Sequence, residues 1–470
     1  MRYAIYMNMT EKSSDKIKEM SYYLPFFSAI LAIFSFNTAW NFLILVALAP
    51  LFRFLIQEQK IWKLLAGTAL FRLIFKLGTI YFVIDPILYF LSILIFLGLP
   101  ISFYLIRRYW SSELAAPLLP ILWIFWDYIE AQYTALPMTI AMAGNALGNS
   151  PFLGLAKFDG IIGLTLFVAL VNIFITFGWL EINGSRIKRL IYFAVAILIV
   201  ISGWIISIKV LKENQRVYRN KARTMEVALV AVDKVENQLN NFAQTLPFQT
   251  KASLIVLPEN LYINTLDNEE LVRAYYGQLA RNLNRELSIV MTASESGKVY
   301  KSSLLFSASG SIISDYKKHY LTITSEYWPF GSWKPFYFNP LDYPPEHRHK
   351  AIFEPRYQHS SGEPSLLNGT DYAFANPICL ELHYPDYLEK LIGLIPDFFI
   401  HNSNNDWISL GLNQYLNLTN NLRAIEAVYL QRPVLISGIQ DYAGVFYPDG
   451  NKILLYPARG AAVADVLVQF

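Results

Sequence analysis

The stretch LIYFAVAILIVISGWIISI, residues 190–208, runs directly into KVLKENQRVYRNKAR, residues 209–223, and this junction decides how the chain is read. The first part is uncharged and as long as a helix that crosses a bilayer, which needs roughly 20 mostly apolar residues. The second part is polar and basic. Upstream, from about residue 22, long apolar runs dominate; downstream, from about residue 220, the composition is that of a soluble domain rich in Asn, Asp, Ser and Tyr. The sequence therefore predicts two architectures in one chain, a multi-span α-helical membrane bundle and a water-facing domain.

Working back from the junction, apolar segments fall at about 22–36, 39–57, 62–84, 86–106, 115–134 and 160–181, giving seven expected spans with 190–208. Charge tests this count. Lys12, Lys16 and Lys18, then Arg53, Lys60 and Lys63, then Arg107 and Arg108, then Arg186, Lys188 and Arg189 lie on one side if there are seven spans. The positive-inside rule makes that side cytoplasmic and sends the C-terminal half across the membrane. The basic residues after the seventh span are the exception. Residues 1–20 are polar and charged, unlike a cleavable signal peptide. The expected organisation is a cytoplasmic segment 1–20, a transmembrane bundle 21–211 and an extracytoplasmic domain 212–470.

Ionisable residues inside spans call for partners. Arg72 and Lys76 are four apart, on one helical face; each would cost about 2.5–3.5 kcal/mol at a lipid-exposed bilayer centre. They are expected to face protein, a water-filled cavity or a lipid headgroup, or to snorkel. Asp127 and Glu130 raise the same question. Residues 136–151, rich in small residues, Asn and Pro, read as a loop or re-entrant stretch, and Asn172 is expected to bond a neighbouring helix.

Composition excludes several functions. With 16% charged residues, a net charge of +3 and no dense basic patch, nucleic-acid binding has no support. The single cysteine rules out an internal disulfide or a multi-cysteine metal site, and the six histidines lack metal-ligand spacing.

After residue 220 the apolar runs shorten and become β-rich. Strands are expected at 225–232, 253–257, 287–292, 303–308, 372–379 and 398–401, with helices at 268–285 and 412–430, an alternation that indicates a layered α/β domain. Three segments carry chemistry. Leu257-Pro258-Glu259-Asn260 ends a strand with a carboxylate; read alone, it is equally a surface turn. Tyr316-Lys317-Lys318-His319-Tyr320-Leu321, with Glu326 beyond, offers lysines that a solvated strand edge would also show. Ile378-Cys379-Leu380-Glu381 ends another strand before His383-Tyr384-Pro385, and a lone cysteine is most often a small buried hydrophobe. Taken together, the residue types fit acyl transfer. A thiol nucleophile must lose a proton, a carboxylate can take and return it, and an ammonium can stabilise the oxyanion of a tetrahedral intermediate.

These three segments, in this order and spacing, resemble the nitrilase superfamily, whose catalytic set is Glu, Lys and Cys. With membrane spans in front, the chain is similar to the apolipoprotein N-acyltransferase family; Gly160, Gly163, Leu164 and Asn172 resemble that family's sixth span. The resemblance implies an αββα sandwich with Glu259 as general base, Lys318 as oxyanion stabiliser and Cys379 as nucleophile. It makes Glu326 and Glu381 supporting carboxylates, and Asn404 and Trp407 a candidate substrate loop. It further implies a ping-pong transfer of an acyl chain from phospholipid to the α-amine of a diacylglyceryl-modified lipoprotein cysteine, in a bacterial inner membrane, with the domain periplasmic and no cofactor or metal. Departures from the family pattern are Leu380 and Leu257 where aromatics are usual, Glu130 where an Arg is expected, a missing Asn-x-Gly near 439–441, and no eighth apolar span before Phe470. They leave a membrane-tethered amidase or an acyltransferase with another acceptor as the alternative.

Overall fold

The computed structural model describes residues 23–37, 39–81, 86–133, 138–233, 250–259, 261, 269–321, 326, 358, 360, 362–406, 408, 410–457 and 460–470. It divides into two compact units. One holds the helices up to Val210 together with Asn413–Ile425; the other holds the described residues of Leu211–Leu412 and Glu426–Phe470.

In the helical unit, α1 is Tyr23–Ser35, α2 Ala49–Gln57, α3 Ile61–Thr79, α4 Pro86–Phe96, α5 Gly98–Tyr109, α6 Leu119–Tyr133, α7 Gly160–Leu180 and α8 Arg186–Arg219. Among the described residues, four stretches are long and apolar enough to cross a membrane: Pro86–Tyr109, Ser112–Gln132, Gly160–Leu180 and Arg186–Arg219. Helices also occupy the other three expected positions, but the first two are shorter and α3 carries charge. The basic run after residue 208 is not a linker. α8 continues through it to Arg219, about 51 Å in all at 1.5 Å per residue, because Lys, Leu, Glu, Gln and Arg are good helix formers.

Asn172 of α7 does bond its neighbours. Its Oδ1 accepts from the amides of Leu48 and Ala49, at 2.9 Å each, and its Nδ2 donates to the Ile44 carbonyl at 2.9 Å. Those groups belong to the break between the turn Ile44–Ala47 and α2, where helix hydrogen bonds are lost. In a bilayer such a break is tolerated only when its polar groups find partners inside the protein. Residues 138–157 likewise form a chain of short 3₁₀ turns, largely buried. Gly144 lies so close to the α7 backbone that an added Cβ would sit 2.7 Å from the Ile161 carbonyl oxygen.

The ionisable residues of the spans face one another. Arg72 Nη2 lies 2.8 Å from Asp127 Oδ1 and also contacts Glu130; Lys76 Nζ lies 2.7 Å from Glu130 Oε1, which accepts from Ser92 Oγ at 2.6 Å. All four charged side chains are buried.

In the second unit, β1 is Thr224–Val232, β2 Leu254–Glu259, α9 Glu269–Leu283, β3 Glu286–Glu295, β4 Lys298–Phe306, β5 Ile312–Lys317, β6 Leu367–Asn368 and β7 Ala373–Ala375. Then come α10 Pro385–Gly393, β8 Phe398–Asn404, α11 Leu412–Leu430, β9 Val434–Ile439, β10 Ala443–Phe446, β11 Lys452–Leu455 and β12 Ala461–Gln469. The pairings trace two runs of six strands, β12-β1-β2-β3-β4-β5 and β11-β10-β9-β8-β7-β6. They meet at one parallel pair, Val232 with Ile439. Side chains bridge them as well: Ser437 Oγ donates to the Val230 and Val256 carbonyls, at 2.7 and 3.1 Å. The central strands β1, β2, β8 and β9 are buried almost throughout, as parallel strands covered on both faces must be. α9 packs Val272, Tyr276, Leu279 and Ala280 onto β1–β4. This is the α/β sandwich of the nitrilase type. The strand expected at 372–379 is shorter, because Pro377 interrupts it; Ile378 makes only an isolated bridge to Asn402.

Candidate active site

Three strand ends deliver the three expected residues. Pro258 has no amide hydrogen to give the ladder. The pairing of β2 with β3 accordingly slips between Val256 and Glu259, and Glu259 is set at the strand's last position opposite Val290. Asn402 Nδ2 donates to the Leu257 carbonyl at 2.5 Å, locking this end to β8. Glu259 is 4% exposed, so it is not a surface turn.

Lys318 follows β5 directly. Its amide donates to the Lys301 carbonyl at 2.8 Å, and its ammonium lies 2.9 Å from both carboxylate oxygens of Glu326. The adjacent Lys317 points elsewhere, half-exposed against Glu295. Burial works against the charge of Lys318, but Glu326, Glu259, Cys379 and Glu381 outweigh it and raise the pKa well above the ordinary lysine value. Lys318 is therefore an ammonium at any physiological pH.

Cys379 is buried and opens a 3₁₀ turn, Cys379–His383, with φ +53°. The left-handed region costs a non-glycine residue roughly 1–2 kcal/mol, so the turn must be held. His401 Nε2 donates to the Cys379 carbonyl at 2.7 Å, and Glu381 Oε2 accepts from the Ile378 amide at 2.9 Å. Burial first, then Glu259, push the Cys379 thiol up to about 12, with Glu326 adding and Lys318 and Lys301 opposing. The resting cysteine is a thiol that needs a base to react.

Glu381 is the organiser. Its Oε1 accepts from Tyr316 Oη at 2.8 Å, the His319 amide at 2.6 Å and the Tyr320 amide at 3.0 Å. One carboxylate thus ties the lysine segment to the cysteine turn. Burial pushes it up to about 7, against the pull of Lys318 and of the backbone amides of Ile378, Tyr320 and His319. Lys301 of β4 was not anticipated from the sequence: its Nζ lies 2.8 Å from Glu259 Oε1, both side chains buried. A lysine in an alternating strand carries no sequence signal of what it faces.

Glu259, Lys318, Cys379, Glu326 and Glu381 are thus coupled in one buried cluster. Asn404, at the end of β8, is not drawn into it by a described contact; its Oδ1 accepts from the Asp406 amide at 3.0 Å. Trp407 lies outside the described residues, as does Asn260. Among the described residues no group of three or more His, Cys, Asp or Glu is placed to hold a metal ion. A cleft of about 1050 Å³, lined by Arg223, Arg285 and Asp371 among others, sits at the opposite ends of β1–β3 and contains none of the cluster.

Two family models match the two halves of the chain. Residues 28–174 match the family described as "Apolipoprotein N-acyltransferase N-terminal domain", and residues 212–427 match "Carbon-nitrogen hydrolase". A curated relative, the apolipoprotein N-acyltransferase of Haemophilus influenzae, is 24% identical over 414 residues, covering 81% of this chain and 72% of that protein. Among solved structures, a carbon-nitrogen hydrolase from Helicobacter pylori aligns with TM-score 0.40 and 13% identity over 52% of this chain and 89% of its own. An amidase from a Nesterenkonia species aligns with TM-score 0.37 and 14% identity over 52% and 90%. The domain joined to the membrane helices is a carbon-nitrogen hydrolase domain of the nitrilase superfamily, whose enzymes act on carbon–nitrogen bonds. Residues 28–174 carry the match to the apolipoprotein N-acyltransferase N-terminal domain, so the chain is similar, in divergent form, to that family of membrane proteins.

Proposed function

We propose that the protein transfers an acyl chain from phospholipid, through a thioester on Cys379, to the α-amine of the diacylglyceryl-modified N-terminal cysteine of lipoproteins. The observation that carries this reading is the single buried cluster of Glu259, Lys318 and Cys379 on a chain tethered to membrane helices. Both substrates are lipid-anchored, so tethering keeps enzyme and substrates in one membrane.

Glu259 takes the proton of Cys379 as the sulfur attacks the sn-1 ester carbonyl. The tetrahedral oxyanion is stabilised by the Lys318 ammonium, which Glu326 holds with both oxygens. The ester C–O bond breaks, Glu259 returns its proton to the leaving oxygen, and a lysophospholipid departs. The incoming α-amine then attacks the thioester and gives up a proton to Glu259. The C–S bond breaks, and the sulfur recovers that proton as the amide forms. Asn404 and Trp407 are assigned to the substrate loop. The clusters of Lys and Arg between spans support an inner-membrane topology with residues 1–20 cytoplasmic and residues 212–470 periplasmic.

The test is intact mass spectrometry of the detergent-purified protein incubated with phospholipid, beside Cys379→Ala. A hydroxylamine-sensitive gain of one fatty acyl group, absent from the variant, is the expected result. Wild-type protein without an adduct from any phospholipid would refute acyl transfer from lipid. An adduct that no lipoprotein peptide can discharge points instead to another acceptor.

A further inference from the structure

Lys301 is a buried lysine in the interior of a strand, opposite Thr292 of β3 and 4% exposed. Lysine is almost never buried without a partner, and its ammonium sits 2.8 Å from Glu259. The same residue's carbonyl receives the Lys318 amide at 2.8 Å. One position on β4 therefore grips the carboxylate through its side chain and the lysine segment through its backbone. The charge count gives this contact a purpose. Three buried carboxylates, Glu259, Glu326 and Glu381, converge with Lys318, and Glu326 occupies that ammonium with both oxygens. Lys318 alone would leave Glu259 facing like charge in a dry site. The groups coupled to Glu259 are Lys301 from β4, Lys318 after β5 and Cys379 from its turn, with Glu326 and Glu381 acting on the same lysine.

We infer that Lys301 is a positioning residue that grips the Glu259 side chain and keeps it aimed as the base for Cys379. This rests on the reading of Glu259 as that base. Removing an adjacent ammonium makes a carboxylate keep its proton to higher pH, typically by one unit or more. A merely structural lysine would change the amount of folded enzyme and not the pH at which it works.

The experiment follows thioester formation from phospholipid against pH in the full-length protein, for wild type, Lys301→Met and Lys301→Arg, with Lys317→Met as a control at an exposed ion pair. In parallel, alkylation of Cys379 by iodoacetamide is timed by intact mass; as the chain has one cysteine, this readout needs no substrate. In Lys301→Met the acid limb should move up by about one pH unit, so that the deficit is about tenfold at low pH and shrinks as pH rises. Lys301→Arg should restore the wild-type limb. A deficit independent of pH, or none, overturns the inference. Should Lys301→Met not fold, adding it to Glu259→Gln, where both partners become neutral, provides the second test. The added change should then cost less than about twofold in alkylation rate, because the lysine acts through a carboxylate already removed; an additive loss overturns the inference. If wild type forms no thioester but alkylation shows the predicted displacement, the lipid reading falls and the role of Lys301 stands. If the thioester forms and the profile does not move, only the role of Lys301 falls.

Discussion

Replacing Arg72 by Met removes one of the two cations from the buried network of the helical unit. Asp127 loses its 2.8 Å partner, and Glu130 is left with Lys76 at 2.7 Å and Ser92 at 2.6 Å. Two carboxylates then face one ammonium in a water-excluded site. Breaking a buried pair by deleting one partner costs about 3–5 kcal/mol, chiefly because the remaining charge is uncompensated. Removing Asp127 as well, in Arg72→Met/Asp127→Asn, returns the network to one cation and one anion. That double variant should recover most of the loss, to within about 1–2 kcal/mol of wild type, since replacing a whole buried pair is often near neutral. The assay is unfolding of the purified protein in mixed micelles with increasing SDS, read by tryptophan fluorescence, as a double-mutant cycle. The expected coupling between the two positions, the two single losses less that of the double variant, is therefore at least about 4 kcal/mol. If the single variants each lose less than about 1 kcal/mol, the side chains are reaching headgroups or water, and the account of a closed, charge-balanced network is wrong.

Two further outcomes follow from the catalytic unit. Glu381 has an ordinary value near 4.5, raised to about 7 in the fold. Its contribution to stability is therefore full below pH 4.5 and is lost as pH rises through 7, a change of about 3 kcal/mol. Over the same interval acylation should move the other way, because protonation turns one of the two accepting oxygens of Glu381 into a hydroxyl and weakens its hold on the lysine segment or the cysteine turn; measuring wild type minus Glu381→Gln in both assays checks that the two signs oppose. Glu326→Gln should slow thioester formation by about 10²-fold with little change in lipid binding, since it weakens the hold on Lys318; an equal loss of binding would assign Glu326 to the substrate instead.

Much of this was legible in the sequence because it is carried by local pattern. Apolar runs of span length, the alternation of strand and helix after residue 220, and the short segments around Glu259, Lys318 and Cys379 are all properties of neighbouring residues. What was not legible is pairing over distance. Arg72 and Asp127 are 55 residues apart, and Lys301 and Glu259 are 42 apart. Each residue, read locally, is an ionisable group with several plausible surroundings. The extent of α8 past residue 208 was missed for the opposite reason: polarity marks the end of a bilayer span but not of a helix, which Lys and Arg propagate well. Pro377 was the local sign that the strand before Cys379 stops early.

The two halves solve the same physical problem with different tolerances. In the helical unit, Arg72, Lys76, Asp127 and Glu130 sum to zero, and the network can be neutralised pairwise without altering what the helices must do. In the catalytic cluster, among the described residues, three carboxylates meet two lysines, one acidic group in excess. That excess raises the Lys318 pKa and contributes to pushing the Cys379 thiol up to about 12. A balanced site would ionise the thiol more readily, yet a permanent thiolate in a single-cysteine enzyme invites oxidation and needs no base to be gated. In the proposed reaction, the imbalance keeps Cys379 protonated until substrate fills the site and Glu259, as the proposed base, takes the proton as the new bond forms. The strained backbone at Cys379 belongs to the same arrangement. His401 and Glu381 fix the turn from both sides, so the sulfur need not reorganise when its charge changes.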